Sequence, residues 1–434
     1  MTTNCRLLVV RMTVLRRITH LTRWMLAACL GAAPVVVQAQ IDQERAHRYF
    51  AEADSLCERD GGRLWGISLC GPMVFADAAT QSIAANQDVP DAERPAALGY
   101  ANAPLEWGDE RWAAFAWAMI PGADKQARAR LLMHELFHRI QPQLGLMPMG
   151  QPNDHLDTLV GRYWMQLEWR ALLRALNASG SVRVDAIRDA LAFRSARRAA
   201  FPDAAENERA DEIREGLAQY TGTVLATSST ADAVKDVIHQ LTEYPNNPTF
   251  VRTFSYPTGA AYGVLLDAVS PGWTRRIKFS DDLGQLLLLA TGIVPSEDTD
   301  AAVQRYGGSE LWSAEERRDA ERRARVAELR RRFVDGPVLI VPRGRGAVVN
   351  TTGATPIPGE GTVFFEYRVT AEWGTLKSTG ILQSEDGATL RLPAPFQSDG
   401  AVIKGEGWMI TPAPGWLVGP GPRTGDFQIV REED

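Results

Sequence analysis

The sequence predicts an α+β protein with a mostly helical first domain, residues 40–335, and an all-β second domain, residues 336–434. In the first part, apolar residues recur at helical spacing over long segments, after two strand-like stretches that would form a small amino-terminal sheet. After residue 337, short apolar runs alternate with glycine and proline turns, the spacing of a β-sandwich or small barrel. A chain of 434 residues is too long for one small core, which supports two domains.

The strand-like stretches lie at residues 71–86 and 112–120. The first is predicted as a hairpin that turns at residues 77–80. The second is apolar and rich in aromatic residues, and Pro121 bounds it. These features favour a strand, although the frequent alanines leave a helix open as an alternative.

Apolar periodicity predicts the helices of the first domain. A helix at residues 154–176 should be capped by Asn153 or Asp154. The other predicted helices span residues 182–200, 204–227, 230–243, 258–269, 281–290 and 313–333. The last of these interleaves eight arginines with glutamates, which indicates an ion-paired, exposed linker. The predicted strands of the second domain lie at 338–341, 363–369, 388–392 and 427–430.

The most informative local pattern is His-Glu-Leu-Phe-His at residues 134–138. It should lie on a helix that begins after Asp124 and ends near Pro142. Histidines four residues apart on a helix project from one face, where they can bind one zinc ion. Glu135 would then lie beside the metal and could take a proton from a zinc-bound water. The alternative is an amphipathic helix that carries two surface histidines.

A catalytic zinc site needs a third protein ligand and an open position for water. Gln141 and Leu144 stand where a third histidine would follow the motif, so that arrangement is excluded. A second helix offers Glu208, Glu212 and Glu215 at helical spacing, as one acidic stripe. The alternative interpretation of this stripe is a solvated charged helix.

Gly216 distinguishes Glu215 from the other two glutamates. A glycine inside a helix costs about 1 kcal/mol relative to alanine. Its use next to Glu215 indicates that another part of the chain approaches the backbone closely there.

Two segments of the sequence together resemble the gluzincin metallopeptidases. The first contains His134, Glu135 and His138, and the second, far downstream, is Arg-Glu-Gly-Leu-Ala-Gln-Tyr at residues 214–220. The second segment is most similar to the Asn-Glu-Gly-Phe-Ala segment of the aminopeptidase N type. The resemblance covers about a tenth of the chain. It implies a zincin-like catalytic domain over residues 40–335, with Glu215 as the third zinc ligand.

The resemblance also implies a position for the substrate. The strand at residues 112–120 would form the upper wall of the cleft, where a sheet edge can receive an extended peptide. The sequence departs from the family in three ways: Arg214 replaces the asparagine, the two metal helices are much farther apart, and there is no Gly-Ala-Met-Glu-Asn segment. Aminopeptidase specificity is therefore not implied.

Four further residues are candidates for the site. Tyr256 or Tyr262 could stabilise the developing oxyanion, as a tyrosine or histidine does in gluzincins, although core packing explains either tyrosine equally well. His155 could be a substitute ligand or a donor to the transition state, or simply a residue near a helix start. Asp211, one turn before Glu215, could orient a zinc-bound histidine.

Residues 1–39 are predicted as a signal peptide, which implies a secreted or periplasmic protein. They contain five arginines, no acidic residue, and an apolar stretch that ends in Val-Gln-Ala. A rival interpretation is lipid attachment at Cys29, which would place the protein at a membrane. In an exported chain, Cys57 and Cys70 should form a disulfide, with a second metal site as the weaker alternative. Without the leader the formal net charge falls from −6 to −11, so no nucleic-acid partner is expected.

These patterns predict an exported zinc-dependent peptidase that acts on peptides or proteins. His134, His138 and Glu215 would bind zinc, and Glu135 would be the base. The alternative is a non-catalytic surface or scaffold protein with a structural zinc and a β-domain that binds partners. Glu135 favours the enzyme, because a structural site has no use for a base beside an open coordination position.

Overall fold

The computed structural model describes residues 40–296, 298–344, 347–398 and 401–432. The predicted signal peptide and the rival attachment point at Cys29 lie outside these residues. Within the described ranges, no helix has the length and apolar character needed to cross a membrane.

The first part of the described chain is mainly helical, and the second part is built from strands. The α-helices are α1 Gln43–Asp60, α2 Lys125–Ile140, α3 Leu159–Asn177, α4 Gly180–Ala200, α5 Ala204–Asp211, α6 Leu217–Ala226, α7 Thr230–Glu243, α8 Ser255–Val269, α9 Leu283–Thr291, α10 Asp300–Arg305 and α11 Gly308–Arg330. Two π-helical turns, Glu212–Gly216 and Arg331–Asp335, lie between α5 and α6 and after α11. Short 3₁₀ turns occupy Trp117–Met119, Asp154–Asp157, Tyr244–Asn246 and Trp273–Arg275.

The strands form two sheets. The first contains β1 Met73–Ala76, β2 Ile83–Ala85, β3 Ala103–Trp107 and β4 Glu110–Ala116. The second contains β5 Val338–Pro342, β6 Val348–Ile357, β7 Gly361–Ala371, β8 Gly374–Ser378, β9 Ile381–Gln383, β10 Thr389–Pro393, β11 Pro395–Ser398, β12 Ile403–Gly405, β13 Trp408–Pro412, β14 Trp416–Pro420 and β15 Phe427–Arg431. The predicted α+β class, with a helical domain before an all-β domain, is confirmed.

The small sheet has the order β2-β1-β4-β3. The predicted hairpin is confirmed as β1 and β2, and the carboxylate of Asp77 accepts hydrogen bonds from the backbone of the turn at Ala79 and Thr80. The strand predicted at 112–120 is β4, which gives way to a 3₁₀ turn after Ala116. β4 lies inside the sheet between β1 and β3, so the expectation that it would form the substrate-binding edge is wrong. That edge is β3.

The predicted helices of the first domain are present, and the starts of α3, α8 and α11 differ from the predicted ones by three to five residues. The segment predicted to begin at Asp154 first forms a 3₁₀ turn, and α3 begins only at Leu159. Its cap is Thr158, whose hydroxyl accepts a hydrogen bond from the Gly161 N–H at 3.1 Å, and not Asn153 or Asp154. Two helices, α1 and α10, were not predicted.

Helix α1 connects the start of the described chain to the small sheet. Its ends carry recognisable signals: the Asp42 side chain caps the first turn, and Gly61 adopts a left-handed conformation with φ of 54° after the last. The ring of Phe50 stacks on Phe75 of β1 at 4.1 Å. Near its carboxyl end, Cys57 forms the predicted disulfide with a cysteine 13 residues later, Cys70.

The carboxy-terminal sheet is nearly closed and resembles a barrel. Its strands follow the order β11-β12-β13-β8-β7-β9-β10-β5-β15-β14, and β6 also pairs with β7. The four predicted strands correspond to β5, β7, β10 and β15. Apolar side chains that alternate along these strands fill the interior, among them Leu339, Val341, Leu390 and Leu392.

Helix α11 joins the two domains. The predicted ion pairing is confirmed, for example between Arg322 and Asp319 at 3.0 Å. Most of the helix is exposed, as expected, including Arg317, Arg323 and Arg325. One side packs on the first domain, where buried Glu315 accepts a hydrogen bond from Gln166 of α3 at 2.6 Å. Beyond the helix, Phe333 packs into an apolar cluster that includes residues of β6, β7 and β9.

A buried ionic network connects the helices of the first domain. Arg194 and Arg197 of α4 are only 4% and 0% exposed. Arg194 pairs with Glu212 at 2.5 Å, and Arg197 pairs with Glu208 at 2.6 Å. Both arginines also pair with Glu168 of α3. The network therefore fixes α3, α4, α5 and the first π turn relative to one another.

Removal of one arginine from this network should destabilise the fold strongly. Arg197→Met would leave the buried carboxylates of Glu168 and Glu208 with fewer partners, and breaking such a pair costs about 3–5 kcal/mol. Urea denaturation of the full chain measures the decrease in the free energy of unfolding. Arg188→Met, at an exposed position of the same helix, should change stability by less than about 0.5 kcal/mol. Equal effects of the two substitutions would contradict the role of the network.

Candidate metal centre

Helix α2 carries the histidine motif. Asp124 caps it by accepting a hydrogen bond from the Ala127 N–H at 2.9 Å, and the backbone of Gln141 closes its last turn, as predicted. Its apolar residues are buried in the helical core, which orients the opposite face toward the cleft. On that face the Nε2 atoms of His134 and His138 lie 3.1 Å apart.

The segment predicted as one helix at 204–227 is widened by the π turn at Glu212–Gly216. Here the N–H of Leu217 bonds to the carbonyl of Glu212, five residues earlier. The three glutamates therefore do not form the predicted single stripe. Glu208 and Glu212 bond to the buried arginines, whereas Glu215 faces the histidines.

Gly216 lies where the sequence predicted a close approach, and the prediction is confirmed. A Cβ atom on Gly216 would lie 3.0 Å from the carbonyl oxygen of Ser255 and 3.0 Å from Cα of Gly259. Helix α8 therefore packs directly on the π turn. This contact brings Tyr256, near the start of α8, close to Glu215 and His134.

The three predicted ligands lie together. Oε2 of Glu215 is 3.5 Å from Nε2 of His134 and 3.3 Å from Nε2 of His138. With metal–ligand distances of about 2.0–2.1 Å, ligand atoms at the corners of a tetrahedron are about 3.3 Å apart. The observed separations match that value, so this group could hold a metal ion.

Gln141 orients one of the histidines. Its amide nitrogen donates to the carbonyl oxygens of Ile213 and Arg214 at 3.0 and 3.1 Å. Its amide oxygen therefore faces His138 and accepts the Nδ1 hydrogen at 2.8 Å. This bond fixes the tautomer that leaves a lone pair on Nε2 for a metal. No sequence pattern singled out this role of Gln141, although its position three residues after His138 on the same helix was a usable signal.

Glu135 lies in the same cleft and is 5% exposed. One carboxylate oxygen, Oε2, is buried and has no hydrogen-bond partner among the described residues. Burial raises the pKa of Glu135, although the charges of His134 and His138 partly oppose that shift. A buried carboxyl with a free oxygen and a raised pKa has the properties of a general base or acid.

Two of the three candidate ligands, Glu215 and His138, have shifted pKa values. Burial alone would raise the pKa of Glu215, but hydrogen bonds and charge from His134 and His138 outweigh burial and lower that pKa. Burial alone would lower the pKa of His138, but its contacts with Glu215 and Glu135 outweigh burial and raise that pKa. The carboxylate is thus ionised and ready to bind a cation.

Of the two candidate tyrosines, only Tyr256 lines the cleft. Its hydroxyl donates to Oε2 of Glu215 at 3.0 Å, and its ring stacks on His134 with centroids 5.5 Å apart. Tyr262 is fully buried, and its hydroxyl donates to Glu168 at 2.7 Å. Six residues along an α-helix rotate the side chain by about 240°, so both tyrosines cannot face the same cleft. The candidate role of Tyr262 is therefore wrong.

Two other candidates have different partners from those expected. His155 bonds to Glu208 at 2.9 Å, within the ionic network, and is not a ligand of the cluster. Asp211 accepts hydrogen bonds from Asn153 at 2.8 Å and from Arg214 at 2.7 Å, and not from a histidine. Asp211 therefore orients Arg214, whose Nε in turn donates to Glu215.

The contact between the π turn and α8 gives a direct test. A Cβ on Gly259 would lie 2.3 Å from Cα of Gly216, so Gly259→Ala should destabilise the domain by about 1–3 kcal/mol. Thermal unfolding of the full chain measures this. Gly122→Ala is the control, because the nearest atom to its new Cβ would be the Tyr49 hydroxyl at 3.9 Å. Unchanged stability of the Gly259 variant would show that the two elements are not packed this closely.

The cleft around the cluster is a cavity of about 240 Å³. Asn102, Ala103 and Pro104, at the start of edge strand β3, form one wall, and Glu215 and Tyr256 lie on the helical side. The arrangement places a possible metal site next to a buried carboxyl group and an unpaired sheet edge. No protein-family model, curated protein or solved structure matches this chain.

Proposed function

We propose that this protein is an exported zinc-dependent peptidase. The observation that carries the proposal is the mutual separation of 3.1–3.5 Å among the ligand atoms of His134, His138 and Glu215. Glu135, with its unpartnered oxygen, lies in the same cleft. A metal-ligand triad beside a free carboxyl group is the arrangement that water-activating hydrolases require.

The donor set favours zinc. Two imidazole nitrogens and one carboxylate oxygen suit a borderline cation, whereas calcium and magnesium prefer oxygen ligands alone. Three protein ligands leave a fourth position for water or substrate, as in catalytic sites. The Gln141 side chain supports this assignment because it holds the Nδ1 proton of His138 and leaves Nε2 free.

The chain's own groups divide the work of hydrolysis. A zinc ion in this site supplies a Lewis acid that polarises a carbonyl and lowers the pKa of water toward about 7. Glu135 takes the proton of the attacking water and returns it to the leaving amine. The Tyr256 hydroxyl stays protonated, because burial and the nearby Glu215 raise its pKa, so it can donate to the developing oxyanion.

The edge strand β3 is the binding surface for the peptide. An extended peptide can add to an unpaired sheet edge through main-chain hydrogen bonds. Pro104 has no N–H, so at this position the peptide can only donate to the strand. The ladder is therefore short, and side-chain contacts in the cleft must contribute much of the recognition.

The alternative of a scaffold with a structural zinc is less well supported. Structural zinc sites usually have four protein ligands and are closed. Among the described residues, the cluster of His134, His138 and Glu215 offers three protein ligands, and it opens to a cleft. Export is supported by the disulfide between Cys57 and Cys70, because such bonds persist in oxidising compartments.

Metal analysis tests the first step of the proposal. Purified protein should contain about one zinc per chain, and Glu215→Ala should lose most of it because one of three ligands is removed. Glu206→Ala is the matched control, since its side chain is 78% exposed in the neighbouring helix α5. Elemental analysis of folded protein measures the zinc content. Equal content in the two variants would rule out Glu215 as a ligand.

Activity of the Glu135→Gln variant tests the chemistry. The amide keeps the shape of the side chain but cannot accept the proton, so zinc content should be unchanged and hydrolysis of a casein or peptide-library substrate should fall by about 10²–10⁴-fold or more. Cleavage is measured by mass spectrometry against the wild-type chain. Equal rates would remove Glu135 as the base, and no cleavage by the wild type would favour the scaffold.

A further inference from the structure

The cleft contains hydrogen-bond donors that the proposed chemistry does not use. Asn102 and Arg111 line its sheet side, and Arg214 lines the side of the π turn. The acceptors in the lining, Glu135 and Glu215, are assigned to the proton transfer and to the metal. Apart from these carboxyl groups, the two histidines and Tyr256, the polar side chains of the cleft are those of Asn102, Arg111 and Arg214.

The guanidinium of Arg111 has a hydrogen-bond donor that no described residue accepts. Its Nη1 bonds to Glu106 of β3 at 2.5 Å, and its Nε is buried with no partner among the described residues. The Glu106 side chain is 64% exposed, so this pair contributes little energy and does not neutralise the guanidinium fully. The Arg111 side chain itself is 26% exposed, which keeps it available at the cleft.

The other two donors are held in place by neighbouring groups. The Asn102 amide oxygen accepts the Ala116 N–H at 3.0 Å, which leaves the amide nitrogen as the donor toward the cleft. Arg214 is held by Asp211 at 2.7 Å and by Glu215 at 3.2 Å. Its Nη1 has no partner in the described part of the chain, so one arm of this guanidinium is also free.

The charge of the cleft differs from that of the whole chain. The protein carries a formal net charge of −6, and the lining of its cleft contains two guanidinium groups together with the carboxyl groups of Glu135 and Glu215. A divalent cation held by the cluster would make the local balance positive, and such a field attracts anionic groups to the site. The small cavity, about 240 Å³, accommodates only the groups next to the scissile bond.

We propose that the substrate carries a carboxylate close to the scissile bond and that Arg111 is the main residue that binds it. Arg214 and the Asn102 amide supply further donors. The carboxylate is either the free carboxyl terminus of the peptide or an aspartate or glutamate side chain. A guanidinium with unused N–H groups matches the geometry of a carboxylate oxygen pair. This inference rests on the proposed peptidase function.

Two pairs of peptides test the proposal on the zinc-loaded full chain with the Glu135→Gln substitution, which binds without cleavage. The first pair is trialanine and trialanine amide, which differ only in the terminal carboxylate. The second is acetyl-Ala-Asp-Ala-amide and acetyl-Ala-Asn-Ala-amide, which differ only in the side-chain carboxylate. In at least one pair, calorimetry should show that the peptide with the carboxylate binds about tenfold more tightly than its neutral partner. The pair that shows this difference identifies whether the recognised carboxylate is the chain terminus or a side chain.

Arg111→Met in the same background should reduce that preference to less than about twofold, without weakening the binding of the neutral peptide. Arg111→Lys should retain part of the preference because it keeps the charge. Arg188→Met, on the exposed face of α4, is the control and should retain all of it. Zinc content and thermal unfolding establish that each variant is folded.

Three results would overturn the proposal: equal affinity within both pairs, no binding of either carboxylate peptide, or a preference that persists in Arg111→Met. These results are independent of the peptidase assignment because they measure binding alone. If the wild type cleaves no peptide but binds carboxylates through Arg111, the peptidase proposal fails and the carboxylate site stands. If it cleaves peptides without any carboxylate preference, only the present inference fails.

Discussion

The buried ion pairs of Arg194 and Arg197 hold α3, α4, α5 and the first π turn of the helical domain together. Each guanidinium is almost without access to water, so its charge must be matched by carboxylates from neighbouring helices. Glu208 and Glu212 supply that charge from the segment that also carries the candidate metal ligand. The network therefore fixes the position of this segment against α3 and α4, and the placement of Glu215 depends on that position.

The π turn in this segment positions the candidate metal ligand. Two of the three glutamates in the segment are committed to arginines, and the wider turn at Glu212–Gly216 directs the third, Glu215, toward the histidines of α2. Gly216 allows α8 to approach at van der Waals distance, and Gln141 ties α2 to the backbone of the same turn. A π turn lengthens a helix by one residue without ending it, which is why such turns recur at functional sites. The ligand geometry thus depends on packing at three sides of one short segment.

The proposed chemistry and the proposed specificity use different groups of the same cleft. Glu135 is buried and Tyr256 is partly buried, and their protonation is controlled by burial and by the charges of the cluster. Arg111 and Arg214 are partly exposed and keep unused donors. A division between buried groups for proton transfer and accessible groups for recognition is expected, because a substrate must reach the second set but need only approach the first.

The sequence alone determined what depends on neighbouring residues. The cap at Asp124, the histidine pair four residues apart and the alternation of the β-domain strands all follow from interactions within a few positions or from a regular period. Tertiary structure decided what depends on distant partners. It separated Glu215 from the rest of the predicted acidic stripe, chose Tyr256 over Tyr262, and made β3 the sheet edge. The physical reason is that a side chain's role depends on which remote charge or backbone lies opposite it, and no local pattern encodes that neighbour.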